Sequence, residues 1–139
     1  MRQHLKYDSS IFPVKNHRYG ISDAKTKIHT ISTKHGNLWE FPISTVRIMG
    51  QNIPIAGGAY FRIFPYQIIR SSIDRLNSEG QPSVFYIHPW ECDTHHPSIR
   101  LPFLLGATHY YNLRSTFPKL KKLLSDFKFA PMREVLNLE

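Results

Sequence analysis

The sequence predicts an α/β fold, and three observations carry that expectation. Ser83 to His88 is a run of β-branched and aromatic residues, the composition of a buried strand. Pro65 to Asn77 places Ile68, Ile69, Ile73 and Leu76 at helical spacing. Before that helix, Ser44 to Met49 and Ile53 to Ile55 read as the two arms of a hairpin. Strand, helix and strand in this order make a βαβ-type unit.

Taken in chain order, residues 1–36 are polar, basic and rich in Ser, Thr and His, and read as an irregular segment distinct from an α/β portion over 37–139. Tyr7-Asp8-Ser9-Ser10 and His17-Arg18-Tyr19-Gly20 have the composition of loops, where Asp and Ser close local turns. Leu38 to Pro42 alternates and stops at a proline, as a short strand does. The hairpin turns around Gly50-Gln51-Asn52, and Gly57-Gly58 then implies positive φ or a close backbone approach. Pro65 suits the first turn of its helix and Gly80 its end. Pro89 has no N–H and closes the strand over 83–88. A second helix runs from Ser115 or Thr116 to Asp126, with Phe117, Leu120, Leu123, Leu124 and Phe127 as its apolar stripe. Phe129 to Pro131 reads as a short edge strand.

The bulk numbers narrow the function. At 139 residues the chain fits one domain and can bury roughly two thirds of its unfolded surface. A net charge of +8 favours polyanions. The positive residues are dispersed, however, and no helix-turn-helix, zinc-finger or RNA-binding signature accompanies them, so no specific nucleic-acid partner is expected. One cysteine, Cys92, excludes an intrachain disulfide framework. No apolar run approaches the ~18 residues of a membrane span, and no signal-peptide core is present, so the default compartment is cytoplasmic.

His88, at the carboxyl end of its expected strand, is the first candidate for chemistry, because that end is where α/β folds place reacting groups. Imidazole exchanges protons near neutrality and suits general acid–base work; a hydrogen-bonded core histidine would look the same. His88, Glu91, Asp93, His95 and His96 form a second cluster of metal-ligand types. The Asp93-Thr94-His95-His96-Pro97 turn offers no regular element to hold them, so native metal binding by this chain is not expected. Gly57-Gly58-Ala59-Tyr60-Phe61-Arg62 matches neither phosphate-loop spacing. It reads instead as the wall of a ligand groove, with aromatic faces and a forked donor, or as plain packing. Arg100, His109, Tyr110, Tyr111 and Asn112 form a further polar-aromatic stretch, and no Ser-His-Asp arrangement or Gly-x-Ser-x-Gly elbow is present.

Several segments occur in an order that resembles a known family. These are Tyr7-Asp8-Ser9-Ser10-Ile11-Phe12-Pro13, Arg18-Tyr19-Gly20-Ile21, Gly57-Gly58-Ala59-Tyr60-Phe61-Arg62, Phe85-Tyr86-Ile87-His88-Pro89-Trp90-Glu91, His109-Tyr110-Tyr111-Asn112-Leu113 and Phe127-Lys128-Phe129-Ala130-Pro131-Met132. Together they resemble the C-terminal half of a bacterial polysaccharide deacetylase (carbohydrate esterase family 4, NodB homology type), in the exopolysaccharide-locus branch with its own C-terminal region. The resemblance implies a partial (β/α) barrel lacking its N-terminal strands, and hydrolysis of N-acetyl groups on a bacterial polysaccharide.

In that family a divalent metal, usually zinc, polarises the acetyl carbonyl and a late histidine protonates the leaving amine. The resemblance places that histidine at His88. It makes Tyr60, Arg62, Tyr86, Trp90 and Glu91 the substrate-contacting candidates, with Tyr86 where a leucine is usual and Glu91 also suited to orienting the histidine. Asp8 falls near the mouth of the site. The family's aspartate pair and His-x-x-x-His motif lie ahead of these segments; this chain has no Asp-Asp pair and no such histidine motif in a helix-forming context. A Met1 just before Arg2-Gln3-His4 suggests a start inside the barrel. The chain is therefore expected to be inactive alone. The rival expectation is a non-catalytic polysaccharide-binding or complementing subunit, partnered by a separately encoded N-terminal half. Exposed sheet edges would favour a homodimer or aggregation.

Overall fold

The computed structural model describes residues 5–16, 19–95 and 97–138. The expected Arg18 of the loop and resemblance segments, Met1 to His4 and His96 of the metal-type cluster lie outside them. Among the described residues the architecture is mixed α/β, with two small sheets and several helices, and no barrel closes. No helix among the described residues is long and apolar enough to cross a membrane.

The first sheet has the order β1-β3-β2, built from β1 (Tyr7–Asp8), β2 (His29–Thr33) and β3 (Gly36–Glu40). β2 and β3 form an antiparallel hairpin in which Thr33 faces Gly36 and His29 faces Glu40. β1 runs parallel to β3, Tyr7 opposite Trp39. The parallel alignment continues past the strand ends, where Phe41 donates to the Asp8 carbonyl at 2.8 Å and Ile43 to that of Ile11 at 3.0 Å. The expectation of an irregular segment over 1–36 is thus corrected. His29 to Thr33 hides its strand because both faces are largely polar, so burial imposes no alternation on the sequence.

The second sheet is the expected hairpin, β4 (Thr45–Ile48) and β5 (Gln51–Pro54). Its turn sits at Met49-Gly50, both at positive φ, one step earlier than Gly50-Gln51-Asn52 suggests. Two residues with positive φ match the right-handed twist of the flanking strands.

Two short-to-medium helices follow, α1 (Gly58–Ile63) and α2 (Tyr66–Ser78). Pro65 stands just outside α2 as its N-cap. The helix ends in a Schellman motif: Gln81 N–H reaches the Leu76 carbonyl at 2.9 Å, Gly80 N–H reaches that of Asn77 at 3.0 Å, and Gly80 holds φ +71°. α3 (Phe103–Tyr110), α4 (Thr116–Asp126) and α5 (Met132–Val135) complete the chain, with 3₁₀ turns at Pro89–Cys92 and Leu113–Ser115. Val46, Ile55, Phe61, Tyr66, Ile69, Ile73, Leu76 and Leu123 form the main core, so the β4–β5 hairpin, α1, α2 and α4 bury their apolar faces against one another.

Two expected strands are corrected. Residues 83–88 form no ladder, and the βαβ-type unit reduces to a helix followed by an unpaired segment. Phe129 to Pro131 likewise joins no sheet and leads directly into α5. Side-chain composition reports which residues suit a pleated, half-buried surface. Whether a second backbone lies alongside is a separate matter.

A polar clamp joins α2 to α4. Tyr66 Oη donates to Asp126 at 2.8 Å, while Arg70 and Lys122 approach the same carboxylate oxygen at 3.5 and 3.4 Å. The Tyr66 hydrogen bond, aided by Lys122 and Arg70, lowers the Asp126 pKa. Burial and the same hydrogen bond push the Tyr66 phenol up to about 12. A lowered carboxylate adds stability above its unfolded value of 3.8, and that contribution is lost as pH falls through the folded value. A raised phenol adds stability below 10.0, lost as pH rises toward about 12. Urea unfolding of the Tyr66→Phe variant against wild type should therefore show a gap that is constant between those limits and closes at both extremes. A gap unchanged at both ends would refute the clamp.

Candidate functional site

The site gathers around a buried ion pair. Arg62, on the last turn of α1, and Glu91, in the first 3₁₀ turn, are 2% and 1% exposed and pair through Nη1 and Oε1. Arg62 Nη2 also donates to the carbonyls of Thr108 at 3.0 Å and His109 at 3.2 Å, at the C-terminal end of α3. Those carbonyls are the negative end of a helix dipole and suit a cation. Burial lowers the Arg62 pKa, against the opposing pull of Glu91.

The other Glu91 oxygen serves His88. It accepts from the His88 backbone N–H at 2.9 Å and lies 3.3 Å from His88 Nδ1. An ionised carboxylate only accepts, so Nδ1 carries the proton in that contact and Nε2 is left for other partners. Glu91 reaching back to the His88 N–H is the carboxylate half of a capping box on the 3₁₀ turn, with Pro89 in the first turn. Pro89 thus starts a turn here, in place of ending a strand. The His88 side chain is 55% exposed while its carboxylate support is buried. A fixed base and an accessible ring are what proton transfer to a bound molecule needs.

Aromatic rings extend the site on both sides of His88. Tyr86 meets it edge-on at 5.6 Å, and Trp90 lies nearly parallel at 6.0 Å. Trp90 in turn stacks on His109 at 4.1 Å, and the Arg62 guanidinium lies 5.4 Å from the Trp90 ring centre. Burial, with the Glu91 charge adding to it, raises the Tyr86 pKa. Beyond Tyr86 an open groove of about 420 Å³ is lined by Ser10, Phe12, Tyr19, Ile43, Tyr60 and Tyr86. Tyr60 Oη and Tyr19 Oη are 2.9 Å apart, and burial followed by that bond raises the Tyr60 pKa. Phe12 and Tyr19 stack at 5.7 Å on the same rim.

Two supports hold this assembly from behind. Lys119, reaching across from α4, donates to the carbonyls of Phe61, Arg62 and Phe64 at 3.0, 3.1 and 2.8 Å. These are carbonyls at the C-terminal end of α1, which a cation stabilises. Asn112, left-handed at φ 51°, donates its side-chain amide to the Arg62 carbonyl at 3.2 Å. At the start of α1, Gly57 (φ 90°) lies directly against the Tyr86 backbone.

The structure therefore brings together His88, Tyr86, Trp90, Glu91, Arg62 and Tyr60. Arg62 and Glu91, both expected as substrate contacts, are buried and direct their charges to each other and to their neighbours. His109 and Tyr19 belong to the site and were only part of wider segments in the sequence. Asp8 is occupied nearby, accepting from the Ser10 hydroxyl at 2.5 Å. Two described members of the cluster of metal-ligand types have other partners. Glu91 is committed to Arg62 and His88, and Asp93 Oδ1 accepts from the His95 backbone N–H at 2.9 Å. No group of three His, Cys, Asp or Glu is placed to hold a metal ion among the described residues.

The chain matches the model of the family described as "Domain of unknown function (DUF3473)" over residues 9–137. No curated protein matches the chain. No solved structure matches it.

Proposed function

The chain belongs to the DUF3473 family, and from that premise and the geometry around His88 we propose that it is the proton-donating, C-terminal portion of a polysaccharide deacetylase. The observation that carries this reading is the accessible imidazole fixed by a buried carboxylate, itself held by Arg62. Glu91 holds the ring with Nδ1–H directed inward, so Nε2 faces outward and, in the imidazolium form, carries there the second proton that a general acid gives up. An amine leaving an N-acetylated sugar accepts that proton as its C–N bond breaks. Tyr86, Trp90 and the groove at Tyr60 offer ring faces and hydroxyls of the kind that receive pyranose rings. The parent activity is hydrolysis of N-acetyl groups on a bacterial polysaccharide. The family's zinc or other divalent metal is held elsewhere than on these residues, and the chain alone is inactive.

The test is acetate release from N-acetylated chito-oligosaccharides with added zinc. The chain is assayed alone and mixed with a separately produced deacetylase half bearing the Asp-Asp and His-x-x-x-His motifs. The expected result is release only from the mixture, falling about 10²–10⁴-fold with His88→Ala. Equal release from the wild-type and His88→Ala mixtures would overturn the proton-donor role. A second reading, a non-catalytic polysaccharide-binding or complementing subunit, is favoured by the aromatic groove itself. It predicts glycan binding with no turnover in either mixture.

A further inference from the structure

α3 presents apolar residues to solvent where a surface helix ordinarily carries charged ones. None of its residues is buried, and those exposed along it and at its C-cap are Phe103, Leu104, Ala107, Thr108 and Tyr111, spaced as one helical stripe. Phe103 and Leu104 are 86% and 79% exposed. The Thr108 hydroxyl is taken up by the helix's own carbonyls, donating to those of Leu104 and Leu105 at 3.0 Å. Ile99, 63% exposed, is held beside the helix because its N–H donates to Tyr110 Oη at 2.9 Å, and Leu101 lies against Gly106. The segment before α3 and the helix therefore form one apolar tip. Charge around it has a single sign: from Thr94 to Ser125 the chain carries Arg100, Arg114, Lys119, Lys121 and Lys122 and no Asp or Glu. Arg100 and Arg114 flank α3 at its two ends, are exposed, and join no ion pair among the described residues.

We infer that α3 and Ile99 seat the protein on the surface of an anionic phospholipid bilayer. An eight-residue helix is about 12 Å long, well short of the ~30 Å hydrocarbon layer, so it lies in the interface and does not cross it. In that position Ile99, Phe103 and Leu104 enter the acyl boundary, while Arg100 and Arg114 meet lipid phosphates at the level of the headgroups. Contiguous exposed apolar residues mark an interaction surface, and the one-signed charge around this one selects its occupant. A second copy would bring the same basic stretch and a net +8 against +8. A layer of anionic headgroups over hydrocarbon complements both features at once. The inner side of α3 is separately engaged, with His109 stacked on Trp90 and the Thr108 and His109 carbonyls accepting from Arg62, so seating the outer face leaves those contacts in place. This inference is independent of the chemistry proposed for His88.

Cosedimentation of the full chain with vesicles tests it, using equal parts phosphatidylglycerol and phosphatidylcholine against phosphatidylcholine alone. The chain should partition onto the anionic vesicles at least ~10-fold more strongly. Phe103→Ser combined with Leu104→Ser should lower that partitioning at least ~10-fold, and Arg100→Gln with Arg114→Gln should reduce it on anionic vesicles only. All four side chains are exposed, so far-ultraviolet circular dichroism should be unchanged. Leu104→Trp keeps the tip apolar, and its added emission should shift to the blue on anionic vesicles. No partitioning, or no blue shift, would overturn the inference. Partitioning that the double serine variant leaves intact would overturn it too, by assigning binding to charge alone. Pelleting without vesicles that the same variant abolishes would assign the tip to a second copy and overturn the lipid partner.

Discussion

Arg62→Met is expected to destabilise the protein by about 3–5 kcal/mol at neutral pH, because it strands the Glu91 carboxylate in a site that is 1% exposed. The loss is larger than an area argument predicts, since methionine is a close match in volume. The cost is electrostatic: a buried charge without its partner keeps its desolvation penalty and loses the attraction that offset it. Two further variants separate the causes. Arg62→Met combined with Glu91→Leu removes both charges and should recover part of the loss, although the His88 backbone N–H then lacks its acceptor. Arg62→Lys keeps the charge but not the fork that reaches Glu91 and the α3 carbonyls together, so it should fall between wild type and Arg62→Met. The deficit of Arg62→Met should also shrink in mild acid, where an unpaired buried carboxylate can take up a proton. Urea unfolding across pH reads all of this, and an Arg62→Met variant within about 1 kcal/mol of wild type would show that the pair is not a structural hub.

The second large effect is expected at Gly57. A methyl group there would stand 1.8 Å from the Tyr86 carbonyl oxygen and 2.8 Å from its carbon, and Gly57 sits at φ +90°, where L side chains are strained. Both neighbours are backbone, so neither can swing aside. Gly57→Ala should therefore cost upwards of about 3 kcal/mol, combining strain with steric displacement. Gly50→Ala is the matched control, since Gly50 also has positive φ (+79°) but nothing within 4 Å of its added methyl. That variant should lose only the backbone term, about 1–2 kcal/mol. Displacing Tyr86 also disturbs the row of rings, so near-ultraviolet circular dichroism should change in Gly57→Ala and not in Gly50→Ala. Equal losses in the two variants would mean the Tyr86 segment yields easily.

The elements that sequence reading finds are those whose pattern is local. α2 and α4 carry apolar residues at helical intervals, and α2 has its stop signal at Gly80, so both emerge within a residue or so of their ends. The β4–β5 hairpin emerges for the same reason. α3 escapes because its apolar residues are not confined to a buried stripe: Phe103 and Leu104 are 86% and 79% exposed. β2 escapes because its serines, threonines and histidine carry no burial signal. The run over 83–88 shows the opposite failure, a correct reading of side chains joined to an incorrect reading of pairing. At the site, His88 and Glu91 are three residues apart and their contact is legible in the sequence. The Arg62 partnership spans 29 residues and its links to α3 span 46 and 47. No spacing rule reaches that far, which is why Arg62 reads as an exposed fork and is in fact buried.

Lys119 has a consequence for the order in which the protein assembles. A chain emerging from the ribosome can close the His88–Glu91 contact within three residues of synthesis. The Arg62 guanidinium waits 29 residues for its carboxylate. The carbonyls behind it wait 55 to 58 for the Lys119 amine. Contacts of long sequence separation are slow to form, because chain entropy must be overcome before they reward it. The imidazole is thus poised early, and the scaffold that keeps it poised is completed only once α4 has docked. Sequence separation alone thus predicts that the site matures late in folding, with the docking of α4.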